Sequence, residues 1–258
     1  MDPGRREIPS SAELIRIGFL ASLAAGLATG VGALPVLFTR QVSDRTLDVM
    51  LGFAAGVMLA ATAFGLLIPA IELGGIWITV LGTVTGGLFL HLVDRFTPHL
   101  HFISGPEGPS SNLRRIWLLI LAITIHNFPE GLAVGVSFGS GDVGAGMALA
   151  TGVGLQNMPE GLAVALPLVR EKYNRGKALW YATLTGLVEP IGGLVGVSIV
   201  TLAGPLLPLG LAFAAGAMLF VVCDELIPES HRKGHERDAT FGLIAGFVIM
   251  MVLDNILG

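Results

Sequence analysis

Long apolar stretches recur along almost the whole chain, and they restrict the folds that it can adopt. A helix of roughly 20 apolar residues is long enough to cross the hydrocarbon core of a bilayer, which is about 30 Å thick. Hydrophobic residues make up 53% of the 258 residues and charged residues only 13%, whereas about 25% are charged in an ordinary soluble domain. The sequence therefore predicts a multi-pass membrane protein that lies almost entirely within the bilayer.

The apolar stretches divide into eight predicted spans, which together form a single transmembrane domain over residues 1–258. The spans lie near residues 14–38, 47–70, 75–95, 116–139, 142–169, 177–204, 206–228 and 240–257. Glycines occur in small-residue patterns, such as those at 52–56 and 192–196, that let helices approach closely. The expected fold is all-α, with eight transmembrane helices in a tight bundle.

Lysine and arginine are distributed unevenly between the two ends of these spans. Twelve of the 15 follow spans one, three, five and seven, namely Arg40, Arg45, Arg95, Arg114, Arg115, Arg170, Lys172, Arg175, Lys177, Arg232, Lys233 and Arg237. The other three, Arg5, Arg6 and Arg16, lie in the N-terminal segment. Because cytoplasmic loops carry an excess of these residues, both termini are expected to be extracytoplasmic.

The longest connection is a predicted cytoplasmic loop at residues 97–115, which is rich in Gly, Pro and Ser. Its His99, His101 and Glu107 are either weak collectors of metal or parts of a solvated linker. The sequence has no basic stripe of the kind that binds nucleic acid, and a single cysteine excludes an internal disulfide. The lipid bilayer is therefore the expected surroundings, and any chemistry is expected within the spans.

Two short sequences occur twice. HNFPEGLAVG at residues 126–135 in span four returns as QNMPEGLAVA at 156–165 in span five, and FAAGVML at 53–59 in span two returns as FAAGAML at 213–219 in span seven. The second pair is followed by Leu-Ile-Pro at 67–69 and at 226–228. Because the paired spans run in opposite directions, these pairs predict inverted repeats about an axis in the membrane plane, an arrangement typical of secondary transporters.

The PEG motifs place carboxylates at the centres of spans four and five. Residues i and i+4 share one face of a helix, so His126 lies above Glu130. Gln156 lies above Glu160 in the same way. A local two-fold between antiparallel spans then brings all four side chains around a common point. One imidazole, two carboxylates and amide oxygens suit zinc, and the ligand types also accept Cd, Fe or Mn.

A third acid in the spans strengthens this interpretation. Glu189 precedes Pro190 in span six, as Pro129 precedes Glu130 in span four, and proline bends a helix where irregular backbone lines protein or water. A carboxylate at the bilayer centre costs about 2.5–3.5 kcal/mol even on lenient scales, and intramembrane acids mark functional sites. Three carboxylates could balance more than one divalent ion.

Other polar residues near these acids have two interpretations. A lone histidine such as His126 would ordinarily be an interhelical hydrogen-bonding residue, but its acidic company favours a ligand. Asn127 and Asn157 lie three residues before the carboxylates and are either ligands or interhelical hydrogen-bonding residues. Met58, judged by its spacing alone, is a core residue.

With HN-x-PEG in span four and QN-x-PEG in span five, the chain resembles the ZIP (Zrt/Irt-like protein) family of divalent-metal transporters, most closely its prokaryotic branch. The resemblance covers all eight spans and implies two metal positions in the bundle. The first would be formed by His126, Glu130, Gln156, Glu160 and Met58, and the second by Asn127, Glu130, Asn157, Glu160 and Glu189. Several relatives carry Asp at the position of Asn157, so the second position is expected to bind metal more weakly here.

The resemblance also implies a mechanism, in which spans one, four, five and six slide as an elevator against spans two, three, seven and eight. Glycine-rich faces on spans one, two and six are expected to permit the sliding. Acids and histidines at the inner end of span seven either receive the departing metal or are solvated charges, namely Asp224, Glu225, Glu229, His231 and His235. Asp94 and Asp254 are expected to be interfacial residues.

The expected function is therefore transport of zinc, or of Cd, Fe or Mn, into the cytoplasm across the inner (plasma) membrane, without an organic cofactor and without enzymatic activity. ZIP relatives often dimerise, which makes a homodimer a candidate assembly. Two alternatives remain open at this point. One is an intramembrane zinc-dependent hydrolase, although the chain has no His-Glu-x-x-His string. The other is a metal/proton antiporter that exports metal.

Overall fold

The computed structural model describes residues 9–39, 41–101, 105–107 and 115–258, and the described part is almost entirely helical. Its helices are α1 (Ser11–Ala33), α2 (Asp44–Ala60), α3 (Ile68–Phe96), α4 (Arg115–Gly139), α5 (Val143–Arg170), α6 (Arg175–Gly186), α7 (Glu189–Leu202), α8 (Leu207–Val221), α9 (Ile227–Ser230) and α10 (Glu236–Leu257). Leu34–Leu37 and Gly204–Leu206 are 3-10 turns, and Ala61–Leu67 and Val222–Leu226 are π-helical.

Six segments of the described chain are long and apolar enough to cross a membrane, which supports a multi-pass membrane protein. One of them, Asp44–Phe96, has 53 residues, more than twice the roughly 20 that a single crossing needs. It is interrupted at Gly75, whose φ of 75° and ψ of 168° are not helical and suit a residue without Cβ. The number of crossings and the side on which the termini lie remain predictions.

The predicted loop at 97–115 contains two short antiparallel strands, β1 (His99–His101) and β2 (Gly105–Glu107). His99 pairs with Glu107 and His101 with Gly105 in the backbone register. The strands were not predicted, because Gly and Pro in the segment indicated a linker. The side chains of His99, His101 and Glu107 lie outside the described part of the chain, as do Arg5, Arg6, Arg40 and Arg114.

The repeated FAAG sequence has a structural counterpart that the sequence did not predict. In both copies, the α-helix continues into a π-helical segment that leads directly into Ile-Pro, at Ile68 and at Ile227. Isolated π segments within helices are frequent at functional sites. The two copies differ in chemistry, since the second π segment carries Asp224 and Glu225, whereas Phe64-Gly65-Leu66 in the first carries no acid.

The helices pack as two groups. The motif group consists of α1 and α4–α7, in which α1 packs on α5, α6 and α7, and α4 packs on α7. The frame group consists of α2, α3 and α8–α10, in which α2 packs on α10 and α3 on α8. Both PEG motifs and Glu189 belong to the motif group, whereas the acidic π segment belongs to the frame group.

Glycines bring helices into backbone contact mainly within each group; between the groups, Gly144 of α5 is one such contact, since its Cβ would meet the Leu257 backbone of α10. A Cβ at Gly26 would meet the backbone of Gly186, one at Gly52 would meet that of Ala239, and one at Gly192 would meet that of α4. The expectation that glycine faces on spans one, two and six permit sliding is therefore wrong, because these faces form backbone contacts inside the two groups. We call these close backbone contacts between helices seams. Between the groups, Gly152 and Gly210 face side chains.

These seams predict different effects of the same substitution at adjacent glycines of α3. We expect Gly86→Ala to lower the free energy of unfolding by about 1–3 kcal/mol, as overpacking does, because its Cβ would collide with the Phe213 backbone. Gly87→Ala is the matched control, since its Cβ would lie 3.5 Å from the nearest atom, the Gly216 oxygen. Thermal unfolding of both variants in detergent would measure the difference, and equal midpoints would contradict a tight α3–α8 seam.

Candidate metal site

The two PEG motifs lie in the middle of α4 and α5 and are buried by the neighbouring helices. Pro129 and Pro159 lie within these helices. His126 and Glu160 are 5% and 7% exposed, and the other polar motif residues are 1% exposed or less. Glu189 is fully buried in the first turn of α7, where the positive end of the helix dipole favours an anion.

Three side-chain hydrogen bonds join the motifs to each other and to neighbouring helices. The amide Nε2 of Gln156 donates to Oε1 of Glu130 at 2.8 Å, which links α5 to α4. The amide Nδ2 of Asn157 donates to Oε1 of Glu189 at 2.6 Å and to the carbonyl oxygen of Ala25 at 2.8 Å. Asn157 therefore holds α5, α7 and α1 together.

Several buried oxygens at this centre have no hydrogen-bond partner within the described part of the chain. They are Glu130 Oε2, Gln156 Oε1, Asn157 Oδ1, Glu160 Oε1 and Glu189 Oε2, together with both amide atoms of Asn127. Burying an unpaired polar group costs about 1–3 kcal/mol, and more when it is charged. All but one of these atoms are oxygens that a cation could bind. The donor set fits a divalent metal ion of the zinc type, which accepts oxygen and imidazole nitrogen together.

His126 is oriented toward the frame group. Its Nε2 contacts Oε1 of Glu225 in the acidic π segment, and both side chains are mostly buried. Sequence spacing placed His126 above Glu130, but it could not identify a partner about one hundred residues away in the chain. The contact joins the two groups at the edge of the site.

A cavity of about 270 Å³ leads away from the motifs between the two groups. His126 and Glu160 line its inner part, and the frame group contributes Asp224, Glu225 and Glu229. Its walls are otherwise largely apolar, and three basic residues, Arg170, Arg232 and Lys233, also line it. The basic residues belong to the side that was predicted to be cytoplasmic.

The histidines after span seven do not line this cavity. His231 has Nδ1 2.8 Å from Ser230 Oγ and Nε2 3.0 Å from Thr240 Oγ1. His235 has Nδ1 3.1 Å from Oδ2 of Asp48, which is fully buried. Both histidines therefore hold the connection between α9 and α10, and the structure separates them from the three acids with which they were grouped.

Asp94 was expected to lie at the membrane interface, but it is buried. It is 5% exposed, and its carboxylate lies with those of Asp224 and Glu225 in a group whose ligand atoms are all within 4.8 Å of one another. Asp254, by contrast, is partly exposed near the end of α10. An acid inside an apolar span was a signal in the sequence, but the π segment that orients Asp224 and Glu225 was not predictable from helical spacing.

Met58 is fully buried in the apolar core on α2, and its carbonyl oxygen accepts a hydrogen bond from Thr62 Oγ1 at 2.7 Å. This environment agrees with the interpretation from spacing that Met58 is a core residue. Its role as a ligand remains an expectation from the resemblance.

Comparison with known proteins gives a consistent result. A family model described as ZIP Zinc transporter matches residues 103–254. The zinc transporter GufA of Myxococcus xanthus is 47% identical, with 93% of this chain and 99% of the relative covered. The zinc transporter ZIPB of Bordetella bronchiseptica is 45% identical, over 95% of this chain and 83% of the relative. Human zinc transporter ZIP11 is 37% identical, over 89% and 94%.

These matches extend over most of the chain and include the helices that carry both PEG motifs and Glu189. The family and these relatives are all named as transporters, which leaves the alternative of a zinc-dependent hydrolase without support. The resemblance inferred from the motifs is confirmed, and the chain belongs to the ZIP family of zinc transporters.

Proposed function

We propose that the protein carries divalent transition-metal ions, zinc foremost, across the inner membrane into the cytoplasm through the site between α4, α5 and α7. The observation that carries this proposal is the convergence of unpaired buried oxygens from Glu130, Gln156 and Glu160 beside a cavity that leads out of the bundle. A cation bound there satisfies oxygens that otherwise remain buried without partners. The same ligand types accept Cd, Fe and Mn.

The site offers two metal positions. The first consists of His126, Glu130, Gln156, Glu160 and Met58, and the second of Asn127, Glu130, Asn157, Glu160 and Glu189. Occupancy of the second position is weaker, because Asn157 is neutral and its amide already donates to Glu189. One carboxylate oxygen that could bind the second ion is thus engaged by a hydrogen bond.

Transport proceeds by movement of the motif group against the frame group, as an elevator. Two observations support this mechanism. The cavity lies between the groups, with Glu160 on one wall and Glu229 on the other, and most glycine-mediated backbone contacts join helices within a group. The conformation described here is the one that releases metal, since its cavity leads to the basic, cytoplasmic side. Eight spans with extracytoplasmic termini complete this topology, and a homodimer is the proposed assembly.

Metal leaves along the acids of the frame group. Glu225 contacts His126 and is therefore the first carboxylate outside the motifs that a departing ion meets. Asp224 and Glu229 line the same cavity further along. His231 and His235 support the α9–α10 connection and do not receive metal.

The proposed site predicts which residues control flux. In proteoliposomes with an imposed zinc gradient, we expect His126→Ala and Glu160→Ala each to lower uptake at least about tenfold, since even groups that only support a metal ligand are worth 10–100-fold in affinity. His91→Ala and Glu171→Ala are matched controls at exposed positions. Undiminished flux in both site variants would rule out this site. Zinc movement that a proton gradient drives only outward would favour the exporting antiporter.

The second metal position predicts an unusual response to an isosteric change. Asn157→Asp removes the donor that binds Glu189 and places two carboxylates in contact, so we expect the metal-free protein to unfold several degrees lower. Zinc should then stabilise the variant more than it stabilises the wild type, because a ligand that binds the folded state more tightly adds more stability. Asn174→Asp, at a helix N-cap where either residue is suitable, is the control in the same thermal assay. An equal zinc response in all three proteins would contradict a second position.

The exit path predicts a kinetic effect without loss of binding. Glu229→Gln removes a carboxylate that lines the cavity but lies outside both metal positions, so we expect slower zinc uptake with an unchanged number of zinc ions bound. Stopped-flow uptake and metal analysis of the purified protein would measure the two quantities. Glu236→Gln, at an exposed position in the first turn of α10, should affect neither. Equal rates for the two variants would remove Glu229 from the path.

A further inference from the structure

A second concave surface adjoins the metal cavity at Arg170, which lines both. It is a groove of about 1190 Å³ between residues 41–44, which precede and begin α2, and residues 169–175, which join α5 to α6. We call it the basic groove. One wall is the connection that leads into α2 of the frame group, and the other is the α5–α6 connection of the motif group.

Charge in the groove is mainly positive. Arg170, Lys172 and Arg175 line it, and Asp44 is its one carboxylate among the described lining residues. Oδ1 of Asp44 already lies 3.6 Å from the ammonium of Lys233. Arg175 is fixed in place because its guanidinium donates to the carbonyl oxygen of Leu37 at 2.5 Å. The groove therefore presents cationic groups that an anion could contact together.

Two helices begin at the groove. α2 starts at Asp44 behind its N-cap Ser43, and α6 starts at Arg175 behind its N-cap Asn174. Both caps line the groove. The N-terminal end of a helix carries partial positive charge and unpaired N–H groups, and it favours phosphate in particular. The two helix ends add to the three cationic side chains.

Aromatic side chains place the groove at the edge of the bilayer. Tyr173 lines it, Phe38 is 84% exposed three residues before Gln41, and Trp180 is 57% exposed in α6. Exposed aromatic residues at the ends of spans are typical of the membrane–water interface. An anion that also carries acyl chains suits this combination better than a small soluble one. Basic pockets between helices on the cytoplasmic side commonly bind phospholipid head groups.

The geometry points to a binding site for the phosphate of an anionic phospholipid in the basic groove. The headgroup lies between α2 and the α5–α6 connection, with Lys172 and Arg175 as its main contacts, while the acyl chains lie against the exposed apolar surface around Phe38. Because its walls belong to different groups, the bound lipid stabilises the relative position of the groups in this conformation.

The site has a consequence for metal release, and this consequence rests on the proposed transport. Arg170 lines both the basic groove and the metal cavity. A phosphate beside Arg170 compensates its charge where a departing divalent cation passes, and the repulsion that the ion meets is reduced. The binding of lipid itself does not depend on transport.

Lys172 is a suitable position at which to test lipid binding by substitution with asparagine, because its φ of 65° is a backbone conformation that asparagine adopts readily. The purified full-length protein is titrated with phosphatidylglycerol or phosphatidylcholine, and retained lipid is counted by native mass spectrometry. The wild type should retain phosphatidylglycerol preferentially, Lys172→Asn should retain about fivefold less, as the loss of one interfacial cation implies, and Lys172→Arg should restore retention. Lys177→Asn is the matched control, an exposed lysine of α6 outside the lining.

Equal retention by Lys172→Asn and Lys177→Asn would overturn the proposal. So would a thermal stabilisation by inorganic phosphate that depends on Lys172 in the absence of any preference for phosphatidylglycerol, because the groove would then bind free phosphate. Zinc uptake separates this inference from the proposed transport. Lys172→Asn should transport like the wild type in phosphatidylcholine vesicles and more slowly than the wild type when phosphatidylglycerol is present. No uptake by any variant, with lipid preference intact, would contradict only the transport.

Discussion

The structure depends on three buried carboxylates that pair with no lysine or arginine of the described residues. Within the described part of the chain, no lysine or arginine forms an ion pair with Glu130, Glu160 or Glu189. Isolated charges in an apolar interior are costly, and they persist where they are paired or bind metal. The amides of Gln156 and Asn157 satisfy one oxygen on each of two acids and leave the others available. Under the proposed function, the transported ion completes the charge of this site.

Close helix packing holds the three buried carboxylates in place. Glycines in α4 and α7 let the two backbones meet beside Glu189, and a Cβ at Gly131 would collide with the backbone of that residue. The carboxylates are thus held by a rigid seam rather than by flexible side-chain packing. Between the groups, Gly152 and Gly210 face side chains, which can exchange partners more readily than backbones in contact. Rigid packing around the carboxylates and more adaptable packing between the groups are therefore found in different parts of the same bundle.

Local patterns in the sequence predicted a large part of this arrangement. Helical spacing and the repeated motif identified the buried acids, because i and i+4 residues share a face whatever the tertiary context. Apolar length predicted a multi-pass helical protein. Features that depend on contacts distant in sequence were missed, namely the place of Asp94 beside the acidic π segment, the pairing of His235 with Asp48 and the closure of glycine seams within groups. A π segment changes the residue spacing locally. Extending the α-helical spacing through it therefore places Asp224 and Glu225 on the wrong face of the helix.

The two π-helical segments follow the two copies of the repeated FAAG sequence, but only the second carries acids. The two copies of the repeated sequence therefore differ in chemistry. In a carrier that works without an energy source, the two one-way fluxes are equal and the net flux is zero when the metal concentrations match, so this inequality cannot create a preferred direction. Under the proposed transport, it would instead make the half-saturating metal concentration differ between the two faces of the membrane. The gradient alone would then decide which way the metal moves, and the acids would change only the concentration at which one face saturates.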